Sequence, residues 1–287
     1  MTVMQVGAKK AGVTVRPYSP QDQEQVLELI AASRLPGQPA ATPRMLDDAL
    51  AGPPDAGEQR RLEGLETDVM TSAEGRVVGA VSSAFRPADG AGVLLWLHSQ
   101  EDDQVIAHTL IDHTLQRFGR RTVHAFDMAT ALSFAGLPSR TRRGTCRALE
   151  TSGFTRQEGW SYLHHRLATL RPRLYAVADL TESTSPPGWR IHLRERDGTR
   201  IGEALVTLPV GDTAILEWVT LHPGRHALSH IQLEQCLAHL ADRGIREIVT
   251  LRTTQPDHET HHDPLRQLHL QAGFHETDQL HTYTRRP

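Results

Sequence analysis

The sequence predicts two mixed α+β lobes that arose by duplication. The chain has 287 residues, enough for two domains at about 100–200 residues per domain. Hydrophobic residues make up 38% of it and charged residues 23%, as is usual for a globular chain. One order of signals occurs twice: antiparallel strands, a helix, a parallel strand, a second helix and a final strand. We therefore expect one lobe over residues 13–168 and another over residues 172–287.

Turn residues and hydrophobic periodicity locate the elements of the first lobe. Alternation predicts a strand at Val13–Tyr18, and Ser19-Pro20 predicts a helix start, with serine as N-cap and proline in the first turn. A short helix around 45–50, strands at 65–72, 76–85 and 93–97, a helix at 105–118, a strand at 122–126, a helix at 140–151 and a strand at 160–167 follow. Gly153 follows the last of these helices and predicts its end.

The second lobe repeats this order without helices before its first strands. The turns Asp197-Gly198 and Gly211-Asp212 separate predicted strands at 189–195, 200–208 and 214–221. A helix at 229–243, a strand at 245–252, a helix at 264–271 and a strand at 274–284 follow. We interpret the stretches 170–173 and 183–188 as the connection between the lobes. The stretch 35–57 of the first lobe, rich in Pro, Gly and Ala, is expected to fill the place of the helices that the second lobe lacks.

Composition and charge argue against several classes of function. A net charge of −3 provides no field that attracts nucleic acid or an anionic membrane. The longest apolar runs fall short of the roughly 20 residues of a membrane span, and the first residues contain no apolar signal core. Cys146 and Cys236 suggest neither a disulfide framework nor a CxxC zinc motif. We expect a cytoplasmic protein without nucleic-acid or membrane partners.

Two similar motifs carry a resemblance to a known superfamily. They are Ala148-Leu-Glu-Thr-Ser-Gly-Phe154 and Leu268-His-Leu-Gln-Ala-Gly-Phe274, each followed by an aromatic strand. Both resemble the last helix of GNAT acyltransferases, the LYxxxGF element, and Thr220–Pro223 resembles the strand that leads into their acyl-CoA pyrophosphate loop. From Val13 onwards the chain is similar to actinobacterial tandem GNAT proteins. The resemblance implies a tandem GNAT fold, with transfer of an acyl group from acetyl-CoA, or another acyl-CoA, to the amine of a small molecule.

The pyrophosphate loop departs from the superfamily pattern. In the superfamily, an Arg/Gln-x-x-Gly-x-Gly/Ala loop offers backbone N–H groups at a helix N-terminus to the phosphates. Here the stretch Pro223–Leu233 contains a single glycine. The resemblance assigns cofactor binding to Val219, Leu221, Gly224, Arg225, His226, Ser229 and His230. In the first lobe, His98–Gln104 has three acids and no glycine, which is unfavourable for a phosphate and predicts a structural role for that lobe.

Glu217 and His269 are the candidate catalytic residues. Acyl transfer from a thioester to an amine needs a base for the amine and an acid for the leaving thiolate. Glu217 lies in an apolar strand, where desolvation would raise its pKa; an outward-facing residue is the alternative. His269 stands where the superfamily has its catalytic tyrosine and could donate a proton, or it is a surface substitution. Trp218 and Tyr283 are candidates for the substrate cleft, with core packing as the alternative for Trp218.

The chain has 17 histidines, an excess that could indicate a metal site. His222, His226 and His230 are spaced by four residues, but Pro223-Gly224 interrupts a helix between the first two. The cluster at residues 257–263 lacks the spacing of the known zinc motifs. The other histidines are scattered over both lobes, which favours surface replacement. We expect no metal.

Three functions remain open at this point. The first is a small-molecule N-acyltransferase that uses acetyl-CoA. The second is a GNAT-fold enzyme that has lost CoA dependence and uses another acyl donor or another reaction, as the missing glycines suggest. The third is a non-catalytic binding protein in which both lobes are degenerate.

Overall fold

The protein forms two compact units that are not contiguous in sequence. The computed structural model describes residues 13–52, 61–167, 176–184, 187–221, 229–254 and 264–287. Unit 1 comprises residues 1–34, 41–158 and 281–287, and unit 2 comprises residues 35–40 and 159–280. Each unit therefore takes in residues from the other half of the chain, because strand pairing does not depend on distance along the sequence. The units cut across the boundary near residue 170 that the sequence predicts.

Unit 1 contains a mostly antiparallel sheet. Its strands are β1 (Thr14–Pro17), β2 (Glu63–Thr71), β3 (Val77–Arg86), β4 (Ala91–Ser99), β5 (Val123–Ala125) and the short β6 (Leu137–Pro138). The order is β1-β2-β3-β4-β5, and β4 and β5 are its parallel pair. Strand β13 (His275–Arg285) follows β5 in the sheet, where Tyr283 pairs with Ala125. Residues 281–287, which the sequence predicts as part of the second lobe, thus complete unit 1.

Helices pack on both faces of this sheet. They are α1 (Gln23–Ala32), α2 (Pro43–Ala51), α3 (Gln104–Phe118) and α4 (Arg143–Thr151). Helices α1 and α2 bury Val26 and Leu46 in one core, and α3 and α4 bury Leu110 and Leu149 in a second core. The Asp103 carboxylate caps α3 by accepting hydrogen bonds from two backbone N–H groups of its first turn.

Unit 2 contains a second set of paired strands, with both parallel and antiparallel neighbours. Its strands are β7 (Thr155–Arg166), β8 (Val177–Thr184), β9 (Pro187–Arg194), β10 (Arg200–Thr207), β11 (Thr213–Leu221) and β12 (Glu247–Thr254), in the order β7-β12-β11-β10-β9-β8. Helices α5 (Ser229–Asp242) and α6 (Pro264–Gln271) pack Leu233 and Leu268 against Ile191 and Leu216 in one core.

Strands β8 and β9 pair directly, from Val177 with Arg194 to Thr184 with Pro187. Strand β8 ends and β9 begins within the stretch 183–188 that the sequence predicts as part of the connection, so that prediction is wrong for the residues of this stretch that lie in the two strands.

Residues 35–40 belong to unit 2, although the rest of that unit comes from the second part of the chain. The Tyr162 hydroxyl donates to the main-chain oxygen of Pro36 at 2.9 Å. Part of the stretch expected to replace the missing helices therefore does belong to unit 2.

None of the helices in the described ranges is long and apolar enough to cross a membrane.

Candidate functional site

Strands β11 and β12 of unit 2 separate after a short parallel ladder. They pair only from Thr213 to Ile215 on β11, although β11 continues to Leu221. Where they separate, the Thr250 hydroxyl donates a hydrogen bond to the main-chain oxygen of Leu216 at 2.8 Å. We call the opening beyond this bond the strand wedge of unit 2. Along it, the β11 main chain forms no ladder with β12 in the part of the chain that the structure describes.

A β-bulge places Glu217 beside this strand wedge. Strand β10 pairs Leu205 with Trp218 and Val206 with Leu216, so Glu217 has no residue opposite it. Its position is two residues beyond Ile215, where the β11–β12 ladder ends. The residue is exposed overall, yet partial burial of its carboxyl raises the pKa of Glu217 above the ordinary value of a glutamate. A carboxylate with a raised pKa is a stronger base, which suits proton abstraction from an amine.

Unit 1 repeats the bulge with different chemistry. Strands β4 and β5 pair only from Gly92 to Leu94. The register of β4 against β3 then shifts, so that Leu95 has no residue opposite it. Leu95 is 2% exposed and packs in the core under α1 and α2. The corresponding bulge position in unit 1 therefore carries no acid or base.

The ion pair of the buried Arg142 with the half-buried Asp102 fills the strand wedge of unit 1, the opening of β4 beyond Leu94. The Asp102 carboxylate accepts hydrogen bonds from Arg142 Nε at 3.0 Å and from the backbone N–H groups of Gly144 and Thr145. Arg142 is 4% exposed, and its Nη2 donates to the main-chain oxygen of Leu97 at 3.0 Å. A Cβ at position 144 would lie 1.8 Å from the main-chain oxygen of Asp102, so glycine is required there. The protein's own guanidinium thus occupies this opening.

His269 is fully buried in α6, which excludes the surface-substitution alternative. Its Nδ1 lies 2.6 Å from the main-chain oxygen of Leu265, and its Nε2 lies 3.0 Å from Nη2 of Arg252 on β12. A carbonyl oxygen only accepts and a guanidinium only donates, so Nδ1 carries the hydrogen and Nε2 accepts. The imidazole is therefore neutral. Both of its nitrogens serve partners inside the protein, and the acid role of His269 stays a prediction.

Arg252 lies near this site, although no motif in the sequence indicates a role for it. It stands at the predicted end of the strand 245–252, where a single arginine interrupts an apolar pattern. An arginine in such a position signals either a strand end or a partner on a neighbouring element. Its contact with His269 shows that Arg252 has a partner on a neighbouring element, helix α6.

The predicted cofactor-binding residues are only partly within the described ranges. The Val219 side chain is 7% exposed and packs in the core of unit 2, which leaves only its main chain for a ligand. Leu221 ends β11, Ser229 begins α5, and His230 is half-buried in the first turn of that helix. Gly224, Arg225 and His226 lie outside the described residues. Binding of a cofactor by this set stays a prediction.

The two predicted substrate residues belong to different units. Trp218 is half-buried in unit 2, and the Arg190 guanidinium lies 5.7 Å from its ring centroid. Tyr283 is fully buried in unit 1 and packs in the core that contains Cys146. The prediction that Tyr283 lines the substrate cleft of the second lobe is wrong, because its strand segment completes the sheet of unit 1 and its side chain reaches no open surface.

Histidine clusters and cysteines provide no further site within the described ranges. No three His, Cys, Asp or Glu side chains there are placed to hold a metal ion. His222 and the cluster at 257–263 lie outside the described residues. Cys146 and Cys236 are free and buried.

Comparison with known proteins identifies the fold. No protein-family model matches the chain, and no curated protein does. A GCN5-related N-acetyltransferase from Sphaerobacter thermophilus superposes with a TM-score of 0.61 at 14% identity, covering 96% of each chain. A tandem GNAT protein from the clavulanic acid biosynthesis pathway, solved without AcCoA, gives a TM-score of 0.60 at 18% identity, covering 95% of this chain and 98% of that one. The chain therefore has the tandem GNAT fold, which confirms the fold that the sequence predicts.

Proposed function

We propose that the protein is a GNAT-type acyltransferase that moves an acetyl or other acyl group from a CoA thioester to the amine of a small molecule, and that unit 2 carries the reaction. One observation carries this proposal. The strand wedge of unit 2 has an acid with a raised pKa, Glu217, at the bulge beside it. In unit 1 the equivalent bulge carries Leu95, and Arg142 fills the wedge, which supports a structural role for that unit.

The residues present are compatible with an acyl-CoA. Its arm is extended and contains amide groups, and a strand main chain without a neighbour binds such groups by hydrogen bonds. The β11 residues beyond Ile215 offer such a main chain towards β12. The N-terminus of α5 would favour the phosphates, with Gly224, Arg225 and His226, which precede it in sequence, as further ligands. When bound, the acyl-CoA supplies the activated acyl group.

Glu217 acts as the general base in this proposal. The acceptor enters as an ammonium ion at neutral pH and must lose a proton before its nitrogen can attack. Glu217 removes that proton directly or through a water molecule. Trp218, the next residue on β11, offers an aromatic face beside the base, and Arg190 lies over that ring.

A second candidate function is favoured by the loop sequence. The stretch Pro223–Leu233 keeps only Gly224 of the glycines that let a backbone approach a pyrophosphate closely. An enzyme of the same fold with another acyl donor would not need them. A non-catalytic binding protein would need neither the loop nor Glu217.

Titration calorimetry with acetyl-CoA tests the proposed donor. We expect heat of binding with the wild type and with Glu217→Gln, because the base is not needed to hold the donor. If acetyl-CoA in large excess produces no heat of binding and no thermal stabilisation, CoA dependence is overturned and the second candidate is favoured.

Release of CoA during incubation with a panel of small amines then tests the reaction. For an amine that the wild type accepts, Glu217→Gln is expected to lower the rate about 100-fold or more. Glu276→Gln, a carboxyl of unit 2 that pairs with Arg266, is the matched control and should leave the rate close to that of the wild type. If both variants keep full activity, Glu217 is not the base.

We also propose that the protein acts in the cytoplasm, because the proposed donor is an acyl-CoA and because Cys146 and Cys236 are free thiols.

A further inference from the structure

In each unit, the guanidinium of an arginine contacts a histidine near the strand wedge. In unit 1, Arg142 Nη1 lies 3.4 Å from Nδ1 of His98, and the same arginine pairs with Asp102. In unit 2, Arg252 Nη2 lies 3.0 Å from Nε2 of His269. The first guanidinium closes its wedge by binding the main chain of β4. The guanidinium of Arg252 is bound to α6 instead, through His269.

The strand pattern places Arg252 beside the wedge of unit 2. Side chains alternate along β12, so Ile248, Thr250 and Arg252 share one face. Ile248 packs in the same core as Leu268 of α6, so this is the face that α6 covers. Thr250 makes the bond to Leu216 where the strands separate. Arg252 is the next residue on that face, just past the separation.

We propose that Arg252 stabilises the leaving thiolate of the acyl donor and that His269 is the positioning residue that holds its guanidinium. This inference rests on the proposed acyltransferase function. In the step concerned, the neutral amine nitrogen bonds to the thioester carbonyl carbon. Glu217 has by then released to solvent the proton that it took from the ammonium ion, and it accepts the second proton that the nitrogen loses as the amide forms. The carbon–sulfur bond then breaks, and its electron pair stays on sulfur. The thiolate later takes a proton from water, so no acid on the protein is required.

The hydrogen bonds of His269 favour this division of roles. The neutral imidazole uses its N–H on Leu265 and its lone pair on Arg252, so it presents no proton to a leaving group. A guanidinium stays charged throughout the neutral pH range, because the pKa of arginine is very high. A fixed positive charge beside a developing anion lowers the barrier without transferring a proton. The superfamily tyrosine thus has an electrostatic replacement here, with histidine at its position acting through arginine.

The ultraviolet absorption of the thiolate of bound CoA, followed against pH, tests the inference without turnover. In the wild type we expect the thiol of bound CoA to ionise at lower pH than that of free CoA. In Arg252→Met the thiol pKa should rise by about one to three pH units, the range for loss of a neighbouring opposite charge. Arg252→Lys should retain part of the effect. Arg266→Met removes another arginine of α6, paired with Glu276, and should leave the thiol unchanged.

Two further variants test the positioning role. His269→Ala should raise the thiol pKa in part, and His269→Asn, whose amide oxygen can accept from a guanidinium, should restore it. Circular dichroism and the Kd for CoA of every variant show whether it folds and binds. Failure of the folded wild type to bind CoA would overturn the proposed function and this inference together. Binding with the same thiol pKa in wild type and Arg252→Met would overturn this inference alone.

Discussion

Arg142 and Leu97 are joined by a hydrogen bond of 3.0 Å between the guanidinium Nη2 and the main-chain oxygen. The bond lies in the interior of unit 1, where Arg142 is 4% exposed. Asp102, 3.0 Å from Arg142 Nε, compensates the charge. A charged side chain therefore forms part of the core at the position where unit 2 has an open wedge. Such a pair is stable only while both partners are present.

Arg142→Met is expected to lower the free energy of unfolding by about 3–5 kcal/mol, because it leaves the Asp102 carboxylate without its cation. Urea unfolding followed by circular dichroism measures the change. Arg44→Met is the matched control, since the Arg44–Asp48 pair is exposed and 4.0 Å apart. It should cost about 0–0.5 kcal/mol. Equal costs for the two variants would contradict the structural role of Arg142.

Glu217→Gln is expected to stabilise the folded protein at neutral pH. Burial raises the pKa of Glu217 in the folded state, so the folded protein holds this proton more tightly than the unfolded chain does. Ionisation therefore costs stability as pH rises above the unfolded value of 4.5. The variant should unfold at a higher urea concentration than the wild type at pH 7, and the difference should vanish at a pH well below 4.5. A less stable variant at pH 7 would refute the desolvated site.

Glu276→Gln should show the opposite dependence. Burial alone would raise the pKa of Glu276, but hydrogen bonds from Ser161 and Arg266 together lower it. The ionised form therefore stabilises the folded state above the unfolded value of 4.5, and this contribution is lost as pH falls through the lower folded value. Urea midpoints at pH 7 should be lower for the variant than for the wild type and should converge in acid. Parallel curves at all pH values would contradict this.

Gly37→Ala is expected to destabilise unit 2 more than a turn glycine does. Gly37 has φ +70°, and a Cβ would lie 2.8 Å from Nε2 of His164 and 2.9 Å from Cγ1 of Val249. Gly198→Ala is the control, because Gly198 also has positive φ but nothing lies within 4 Å of its Cβ position. The control should cost about 1–2 kcal/mol for the backbone strain, and Gly37→Ala about 1–3 kcal/mol more for the overpacking. Equal melting temperatures would show that residues 35–40 do not pack on unit 2.

Both cysteines should resist thiol reagents in the folded protein. Burial raises the pKa of Cys146, and it raises that of Cys236 to about 12. The reactive thiolate is therefore scarce at neutral pH, and access is blocked as well. Labelling with a chromogenic disulfide should be slow in buffer and rapid for both thiols in denaturant. Fast labelling of either thiol in buffer would mean that its core opens readily.

Local signals in the sequence were sufficient for most elements of the fold. Helix α6 begins and ends at the predicted residues, Pro264 and Gln271, because proline starts it and Gly273 follows its end. The sequence does not predict strand β8, because its pattern is mixed and it lies at the edge of its sheet, where no strong alternation is required. The assignment of Tyr283 failed for another reason: which sheet a strand joins is a tertiary property.

The candidate site was predictable in type but not in geometry. The position of Glu217 in an apolar strand predicts a role in the site, but the bulge at Glu217 depends on the register of β11 against β10. His269 was identified from a motif, whereas its partner Arg252 is 17 residues away in sequence and meets it only through packing. The motif indicates where chemistry belongs, and only the contacts show which atoms are available for it.

Because unit 1 combines segments that are far apart in sequence, it cannot be completed until the end of the chain has been synthesised. Unit 1 needs residues 281–287, whose Tyr283 is buried in its core and whose strand lies beside β5. Most of unit 1 is synthesised before residue 159, yet its sheet must wait for more than a hundred further residues. During that interval β5 lacks the strand that pairs with it in the folded protein, and an unpaired strand edge is a site at which other chains can pair.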